Sequence, residues 1–515
     1  MDKYTHACIE IASMLNHELD DRSINKIIKN VSSKYALSSL PKRSDILKYV
    51  NDEHIRHLLT VRPSRSASGV IVISAMPMPY PCPHGRCIYC PGGIEINTAN
   101  SYTNTSPASI AAQRYNFDPY MQVKSKLDKF NEFGHDISKV EIVIVGGTFL
   151  FMPRDYQEYF IKSCYDALNG FKANTLEEAI QYNEQAYSRN VGLTIETKPD
   201  YCKKQHIDLM LRYGATKVEI GVQSLSNKVY QLVNRGHTLD DVIEAFQIAR
   251  DAGYKIVAHM MPGLPGSSLE QDYNDFMLLF NDDRFKPDML KLYPTLVIEG
   301  TGLYQLYKEG KYKPYTEEEM IELLAKVKSR VPRWIRIMRM QREVDSKEII
   351  AGVKHGNLRQ LVLAKLAREG KKCNCIRCRE AGLKNAKIND PKIMREEYDA
   401  SNGKEYFISI EDDDILLGFL RLRIPSSNAH RDEIKGYRCC IVRELHVYGR
   451  ALALGEKDSK SHQHKGYGSM LMQEAENIAL SNNLEKILVI SAVGTREYYR
   501  RLGYKLEGAY MVKYL

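Results

Sequence analysis

The stretch Cys82-Pro-His-Gly-Arg-Cys87-Ile-Tyr-Cys90 places three cysteines within nine residues. Thiolates this close together can bind three irons of a [4Fe–4S] cluster and leave the fourth iron open. Two other interpretations stand beside this one. His84 could complete the four ligands of a closed zinc site, and a disulfide with one spare thiol would require an oxidising compartment.

An open fourth iron is what radical S-adenosylmethionine (SAM) enzymes use to chelate SAM and to generate a 5'-deoxyadenosyl radical. Four residues separate Cys82 from Cys87, where three is the commonest spacing, so the motif is a variant. The sequence that follows the cysteines favours the cluster over zinc and over a disulfide. We therefore expect a [4Fe–4S] cluster held by Cys82, Cys87 and Cys90, with SAM as its partner.

Length and composition limit the class of protein. A chain of 515 residues is too long for one core and predicts two to four domains. No stretch approaches the ~20 apolar residues of a membrane span, and the first residues do not form a secretory signal. The 11 cysteines, odd in number and clustered, indicate a reducing cytoplasm in which they bind metals. The net charge of +9 suggests an acidic partner.

The region 1–69 is predicted to be helical and to end in a basic arm, Arg62-Pro-Ser-Arg65. Such an arm suits contacts with a phosphate backbone, which require positive charge but little shape. A solvated charged face is the alternative. Arg62 and Arg65 are therefore candidate residues for binding a nucleic-acid backbone.

Between residues 70 and 345, short apolar runs alternate with stretches of helical length. Runs of this kind predict parallel strands with helical crossovers, and so a partial β/α barrel within an α/β protein. Active sites of such barrels gather at the carboxyl ends of the strands, where this sequence places Gly146, Gly147, Glu196 and Gln223. We expect these residues to bind SAM, although tight turns and ordinary strand ends would also explain them. The runs are Val70–Ser74, Val140–Val145, Val191–Glu196, Thr216–Val222, Ile256–Met261, Met289–Tyr293 and Trp334–Met340.

Two basic segments lie at and after the last predicted barrel strand. Arg333, Arg336 and Arg339 surround the only tryptophan of the chain, and they could contact RNA phosphates or form the solvated edge of a strand. In the linker 346–397, Cys373, Cys375 and Cys378 resemble a zinc site that lacks a fourth ligand. His355, Cys439 or Cys440 could supply that ligand, and an unliganded basic turn is the alternative.

From residue 398 to 515 the pattern changes to a compact α+β unit. A strand ending in Glu444-Leu445-His446-Val447 precedes the loop Gln463-His-Lys-Gly466-Tyr467-Gly468-Ser469, and a helical pattern follows. Exposed amides at a helix start can hold a pyrophosphate. The Gln-x-x-Gly-x-Gly spacing, together with a later strand and Tyr498, is the acetyl-CoA motif of the GNAT acetyltransferase fold.

A radical SAM motif followed by a GNAT motif closely resembles the catalytic-subunit family of Elongator, which modifies the wobble uridine of tRNA. The resemblance covers essentially the whole chain. It includes Cys82 to Gly93, Lys139 to Thr148, His355-Gly-Asn-Leu-Arg359, Arg443-Glu-Leu-His-Val-Tyr-Gly449 and Gly508-Ala-Tyr510-Met-Val-Lys513.

The resemblance implies carboxymethylation at C5 of uridine 34 with SAM and acetyl-CoA as co-substrates. It implies a tRNA anticodon stem-loop as partner, no membrane, and either further Elongator-type subunits or a homodimer. The acetyl-CoA contacts that it implies are Lys139, Glu444, Leu445, His446, Val447, Gly466, Tyr467, Gly468, Ser469 and Tyr498. The residue that activates water to hydrolyse the thioester is not identified by it.

Two other functions are consistent with parts of the sequence. A protein lysine acetyltransferase would use the GNAT half alone and would need a base beside the acetyl group, for which Glu444 is the candidate. A tRNA-binding scaffold without catalysis would need its arginines but not its cysteines. A complete cysteine triad together with a complete acetyl-CoA loop favours the radical enzyme.

Overall fold

The structure is a computed structural model that describes residues 2–61, 66, 68–383, 388–448 and 466–515. Its amino-terminal part is a small helical bundle with an apolar core of its own. Asp2 and Asp20 begin the first two helices by accepting hydrogen bonds from backbone amides at 2.7 and 2.8 Å, which supplies partners that a helix start lacks. The helices of this bundle are α1 (Lys3–Met14), α2 (Asp21–Lys34), α3 (Arg43–Leu47) and α4 (Glu53–Leu59).

A parallel sheet of seven strands forms the centre of the molecule. Its strands, in their order across the sheet, are β1 (Ile71–Ala75), β2 (Lys139–Ile144), β3 (Arg189–Thr197), β4 (Lys217–Gln223), β5 (Lys255–Met260), β6 (Met289–Leu292) and β8 (Arg336–Arg339). All neighbouring strands are parallel. Because β1 and β8 do not pair, the sheet is a partial barrel. Each of the seven predicted runs corresponds to one strand, and the predicted fold class is confirmed.

Most of the helices between the strands cover the outer face of this sheet, and residues of α10 and α13 pack with the cysteine loop. The helices between the strands are α5 (Pro107–Arg114), α6 (Pro119–Glu132), α7 (Arg154–Asn169), α8 (Leu176–Asn183), α9 (Lys204–Arg212), α10 (Asn227–Leu232), α11 (Leu239–Asp251), α12 (Leu269–Asn281), α13 (Gly302–Lys308) and α14 (Glu317–Arg330). A small hairpin-like pair, β7 (Val297–Ile298) with β9 (Ile349–Ala351), lies beside them. Two further helices, α15 (Leu358–Arg368) and α16 (Ile376–Arg379), lead to the second sheet.

The two faces of the parallel strands differ in chemistry. On β1 and β2, Ile71, Ile73, Val140 and Ile142 pack into the core under the helices. The alternate positions face the inside of the barrel, and there charged side chains such as Glu141 replace apolar ones. The inner face is mixed, because apolar side chains such as Val72 and Met289 line it beside the charged ones. Nearly all positions of β4, β5 and β6 are buried, as expected of parallel strands that are covered on both faces. The charged positions of this inner face form part of the site described below.

The second domain contains a mixed sheet of seven strands. In chain order these are β10 (Lys392–Ala400), β11 (Gly403–Asp412), β12 (Ile415–Ile424), β13 (Cys439–Val447), β14 (Lys486–Val489), β15 (Lys505–Glu507) and β16 (Tyr510–Tyr514), with α17 (Tyr467–Ser481) and α18 (Arg496–Arg501). Only the β13–β14 pair is parallel in this sheet. Among the described residues, no helix is long and apolar enough to cross a membrane.

A network of buried ion pairs joins the two sheets. Arg443 of β13 donates two hydrogen bonds to the carboxylate of Asp288, at 2.6 and 2.7 Å, and two to Glu405 at 2.7 and 3.1 Å. Arg423 of β12 bridges Glu405 and Asp251 in the same way. The four carboxylate and guanidinium side chains of Arg443, Asp288, Glu405 and Arg423 are at most 1 % exposed. Buried charges are tolerated only when paired, so these pairs specify how the domains fit together.

Candidate active site

The three cysteines of the motif lie in the loop that leaves the carboxyl end of β1, and polar groups surround their sulfurs. The Asn100 amide donates to Cys82 Sγ at 3.2 Å, and Arg235 Nη1 donates to Cys87 Sγ at 3.8 Å. The pKa of the Cys87 thiol lies well below its ordinary value because the Cys90 thiol donates a hydrogen bond to it, with His84 and Arg235 adding to the effect. Thiolates with N–H donors aimed at sulfur are the donor set that a [4Fe–4S] cluster requires.

His84 is oriented as a hydrogen-bond donor to sulfur. Lys198 Nζ lies 2.9 Å from His84 Nδ1, and since an ammonium group can only donate, Nδ1 accepts and the ring proton is on Nε2. Nε2 points at Cys87 Sγ from 3.2 Å. A zinc ligand would need a bare nitrogen at that position. This geometry agrees with a cluster that keeps one open iron and disfavours a closed zinc site.

A cavity of about 120 Å³ adjoins Cys90 at the carboxyl ends of the strands. Glu196 and Gln223 both line it. The Gly146 backbone amide donates to Glu196 Oε2 at 2.8 Å, and Gln223 Oε1 is buried without a hydrogen-bond partner among the described residues. Gly147 has open space where a side chain would stand. The structure therefore brings the residues predicted to bind SAM together beside the cysteines.

The floor of this cavity is a buried group of charged side chains. Glu196, Glu219 and His259 have ligand atoms within 4.8 Å of one another. Lys291 is ion-paired with Glu219, and its Nζ lies 4.0 Å from Glu196. Burial raises the pKa of Glu219, but the Lys291 ammonium and His259 outweigh burial and hold that pKa below its ordinary value. The lysine already supplies the positive charge that these carboxylates need.

A second cavity, of about 410 Å³, lies at the opposite end of the barrel and is lined by both domains. Glu141, Lys217 and Lys255 project into it from β2, β4 and β5, and Glu444 and His446 project into it from β13. Lys217 is ion-paired with Glu141. Burial lowers the pKa of Lys255 to about 8. The inside of the barrel therefore opens onto the second domain.

Strands β13 and β14 diverge where they reach this cavity. They pair only from Cys439 to Val442 on β13, and a bulge between Arg421 and Leu422 of β12 shifts the register there. From Glu444 to Val447, β13 keeps its pairing with β12 alone. Its other edge presents backbone groups without strand partners, and an extended amide-containing chain such as pantetheine can bind to an edge of this kind.

The diverging strands β13 and β14 form a cleft, here called the GNAT cleft, together with the start of α17 and Tyr498. Gly466 is the residue before the helix and has a φ of 79°, in the left-handed region that favours glycine. A side chain on Gly468 would come within 2.7 Å of Tyr498 Oη and 4.0 Å of Val447. The structure thus brings together the acetyl-CoA residues predicted on β13, α17 and α18. Gln463, the first residue of the loop motif, lies outside the described residues.

Lys139, the remaining predicted acetyl-CoA contact, stands at the amino end of β2. It is paired in register with Arg189 of β3, and Arg189 packs against Gly494 of the second domain, where an added side chain would come within 2.5 Å of the Arg189 Cβ atom. Burial lowers the pKa of Lys139. Lys139 is therefore at the end of the barrel that faces the GNAT cleft.

The arginines predicted to bind tRNA have internal partners. Arg333 pairs with Glu396 at 3.2 Å and with Glu411, and Arg336 pairs with Glu380 and donates to Tyr448 Oη at 2.8 Å. Arg339 pairs with Glu343 at 2.9 Å and keeps 47 % of its side chain exposed. Trp334 stacks on Tyr398 at 4.2 Å, so it is used in packing. Arg62 and Arg65 lie outside the described residues.

The second cysteine group is compact but incomplete as a metal site. The sulfurs of Cys373, Cys375 and Cys378 lie within 4.8 Å of one another, and no fourth ligand joins that group among the described residues. His355 faces Glu317 at 3.5 Å instead, and Cys439 and Cys440 belong to β13. Lys328 Nζ lies 3.7 Å from Cys378 Sγ. The described residues therefore supply three of the four ligands that a structural zinc site requires.

The fold and the site define a radical SAM enzyme joined to a GNAT domain. Residues 77–277 match the Radical SAM superfamily, 287–368 the Radical SAM C-terminal domain, and 377–504 the acetyltransferase (GNAT) family. Residues 4–67 match the ELP3 N-terminal domain. Both enzymatic domains predicted from the sequence are confirmed.

Full-length relatives name the family. The chain is 44% identical over 518 residues to Elongator complex protein 3 of Danio rerio, with 97% of this chain and 94% of the relative covered. It is 47% identical over 492 residues to tRNA uridine(34) acetyltransferase of Methanocaldococcus jannaschii, covering 92% and 90%. The solved structure of Methanocaldococcus infernus Elp3 with an N-terminal deletion superimposes with a TM-score of 0.77 at 44% identity, covering 87% of this chain and 100% of that one. The chain belongs to the Elongator complex protein 3 family.

Proposed function

We propose that this enzyme uses SAM radical chemistry and acetyl-CoA to form 5-carboxymethyluridine at position 34 of tRNA. The observation that carries the proposal is the cavity lined by both domains, because it opens the inside of the radical SAM barrel onto the GNAT cleft. Two separate activities would not need a shared cavity. The relatives named tRNA uridine(34) acetyltransferase support uridine 34 as the target.

The chain's own residues would divide the work between the two ends of the barrel. Cys82, Cys87 and Cys90 would hold the cluster, and Glu196 and Gln223 would orient SAM beside it. When bound, the cluster and SAM supply a carbon radical that can take a hydrogen atom from an acetyl methyl group. The free edge of β13 would hold the pantetheine arm and direct the acetyl group into the barrel. The buried walls would exclude water until the carbon–carbon bond to uracil C5 has formed.

A tRNA anticodon stem-loop is the proposed macromolecular partner. An unpaired loop allows the wobble base to be splayed out at small energetic cost, and the net charge of +9 favours a polyanion. Relatives named as Elongator complex proteins support further subunits as additional partners, with a homodimer as the alternative. We place the reaction in the cytoplasm, where reduced cysteines persist.

The test is an anaerobic reaction of reconstituted protein with uridine-34 tRNA, SAM, a reductant and acetyl-CoA deuterated on the methyl group. We expect 5-carboxymethyluridine in the tRNA and deuterium in 5'-deoxyadenosine, and neither when acetyl-CoA is omitted. Mass spectrometry of nucleosides detects both. Formation of the nucleoside without label transfer would contradict hydrogen abstraction from the acetyl group.

Lysine acetylation by the GNAT half alone is disfavoured by the state of Glu444. Its carboxylate accepts a hydrogen bond from Arg421 Nε at 2.8 Å. Burial raises the pKa of Glu444, but Arg421 outweighs burial and lowers the pKa below its ordinary value. A carboxylate held in this way is a weak base for an ammonium substrate.

A further inference from the structure

We propose that His446 is the general base that activates water to hydrolyse the thioester after the acetyl carbon has been joined to uracil. The inference rests on the proposed function and adds the residue for its last step. His446 lies on β13 and lines the cavity shared by the two domains. Its Nε2 is buried and has no hydrogen-bond partner among the described residues.

The path of acetyl-CoA through the sheet leads to this histidine. The start of α17 lies on one face of the GNAT sheet, where α17 packs over the cluster that contains Leu420 and Val442. Where β13 and β14 diverge, the arm of the ligand can cross to the other face. On that face Glu444 is paired in register with Arg421, and His446 with Phe419. A thioester that emerges there meets the side chains of Glu444 and His446.

The other ionisable groups around the cavity are already engaged. Glu444 is held by Arg421 at 2.8 Å, Glu141 by Lys217 and by the Thr194 hydroxyl at 3.0 Å, and Glu380 by Arg336. Lys255 Nζ donates to the Arg443 carbonyl oxygen at 3.5 Å. Among the described residues that line the cavity, His446 is therefore the basic side chain with a nitrogen left over for a water molecule.

The environment of the ring keeps it neutral and fixed. Burial lowers the pKa of His446 below its ordinary value, although Glu444, Glu380 and Glu141 oppose this and Arg336 adds to it. The ring stacks on Phe419 with an interplanar angle of 18° and packs against Tyr448 at a centroid distance of 4.4 Å. A neutral imidazole in a fixed orientation is suited to accept a proton at physiological pH.

The step balances without a further reactant. Water oxygen adds to the thioester carbonyl carbon while His446 takes one proton from the water. The carbon–sulfur bond then breaks, and the proton from His446 passes to the departing CoA sulfur. The products are the carboxymethyl group, with its acid proton released to solvent, and free CoA thiol.

The test measures how the uridine-bound thioester partitions between water and hydroxylamine. Hydroxylamine attacks thioesters without a base and leaves a hydroxamate, which mass spectrometry separates from 5-carboxymethyluridine. The variants are His446→Gln and His446→Phe, of which the second keeps the ring packing. The control is His430→Gln, since His430 is held by Asp208 at 2.8 Å and does not line the cavity.

Because a general base contributes about 100-fold, we expect the hydroxamate-to-carboxylate ratio to rise by about that factor in both His446 variants and to stay at the wild-type value in the control. A residue that only binds or packs would lower both products together. An unchanged ratio would therefore overturn the assignment, even if total turnover falls. Wild-type protein that transfers no deuterium to 5'-deoxyadenosine would instead refute the proposed function and this inference with it.

Discussion

Single residues around the cysteine loop decide whether a cluster can be held. Cys87 receives hydrogen bonds from the neighbouring thiol, His84 and Arg235, so it is the most strongly supported thiolate of the three. We expect Cys87→Ala to lose bound iron and reductive SAM cleavage, because two thiolates do not retain a cluster. Iron analysis and visible absorption after anaerobic reconstitution measure this. Cys8→Ala, in the core of the amino-terminal bundle, should keep its iron, and equal loss in both variants would contradict the assignment.

The charge of Lys255 is expected to make carboxymethyluridine formation depend on pH. Burial lowers its pKa to about 8, so its positive charge is present below pH 8 and disappears as the pH rises through that value. A cation beside the thioester carbonyl stabilises the oxyanion of hydrolysis. We expect carboxymethyluridine formation to fall as pH rises through about 8, and Lys255→Arg to move that decline to higher pH because arginine stays charged.

The matched control for this profile is Lys126. Burial also lowers its pKa to about 8, but Lys126 donates to the Ser74 carbonyl and does not line the shared cavity. Lys126→Arg should leave the decline near pH 8. If Lys126→Arg shifts the profile and Lys255→Arg does not, the decline belongs to another group.

At the scale of elements, the GNAT cleft depends on the start of α17 and on the divergence of β13 from β14. Gly466 has a φ of 79° and open space around it, so a larger side chain would occupy the place proposed for the pyrophosphate. We expect Gly466→Val to weaken acetyl-CoA binding at least about tenfold by calorimetry, since access to the helix-start amides would be blocked.

Gly436 offers a control with the same backbone strain. It also has a φ of 79° and nothing within 4 Å, but it lies outside the cleft. Gly436→Val should therefore share the strain of about 1–2 kcal/mol while keeping its acetyl-CoA affinity. Equal affinity losses in the two variants would show that strain, rather than blocked phosphate binding, causes the effect.

The elements also show what the sequence could predict. The sequence predicts all seven parallel strands because each is a short apolar run between stretches of helical length, and it predicts the cysteine triad because the spacing of that triad is local. The sequence does not predict the charged group on the inner face, because residues such as Lys255 and Glu219 come close together only through the register of the strands. Their signal was a charge at alternate positions of otherwise apolar strands. Arg336 was assigned to RNA because sequence spacing does not show that its partner Glu380 lies across the fold.

For the whole molecule, the ion pairs between the sheets determine whether one cavity exists at all. Asp288 pairs with both Arg421 and Arg443 where the two sheets meet, and Arg443 also pairs with Glu405. Arg443 immediately precedes Glu444 in the chain. The domain arrangement that aligns barrel and cleft therefore depends on charges that have no access to water. Loss of one partner leaves the others buried and uncompensated.

We accordingly expect Asp288→Asn to destabilise the protein by about 3–5 kcal/mol, seen as a lower Tm in calorimetry. Asp283→Asn is the control, because Asp283 is 62 % exposed in its pair with Lys286 and surface pairs of this kind contribute about 0–1 kcal/mol. Asp288→Asn should also reduce deuterium transfer from acetyl-CoA more than it reduces SAM cleavage, since the cluster site lies at the other end of the barrel. Equal loss of both activities would mean that the network supports the barrel itself rather than its alignment with the GNAT cleft.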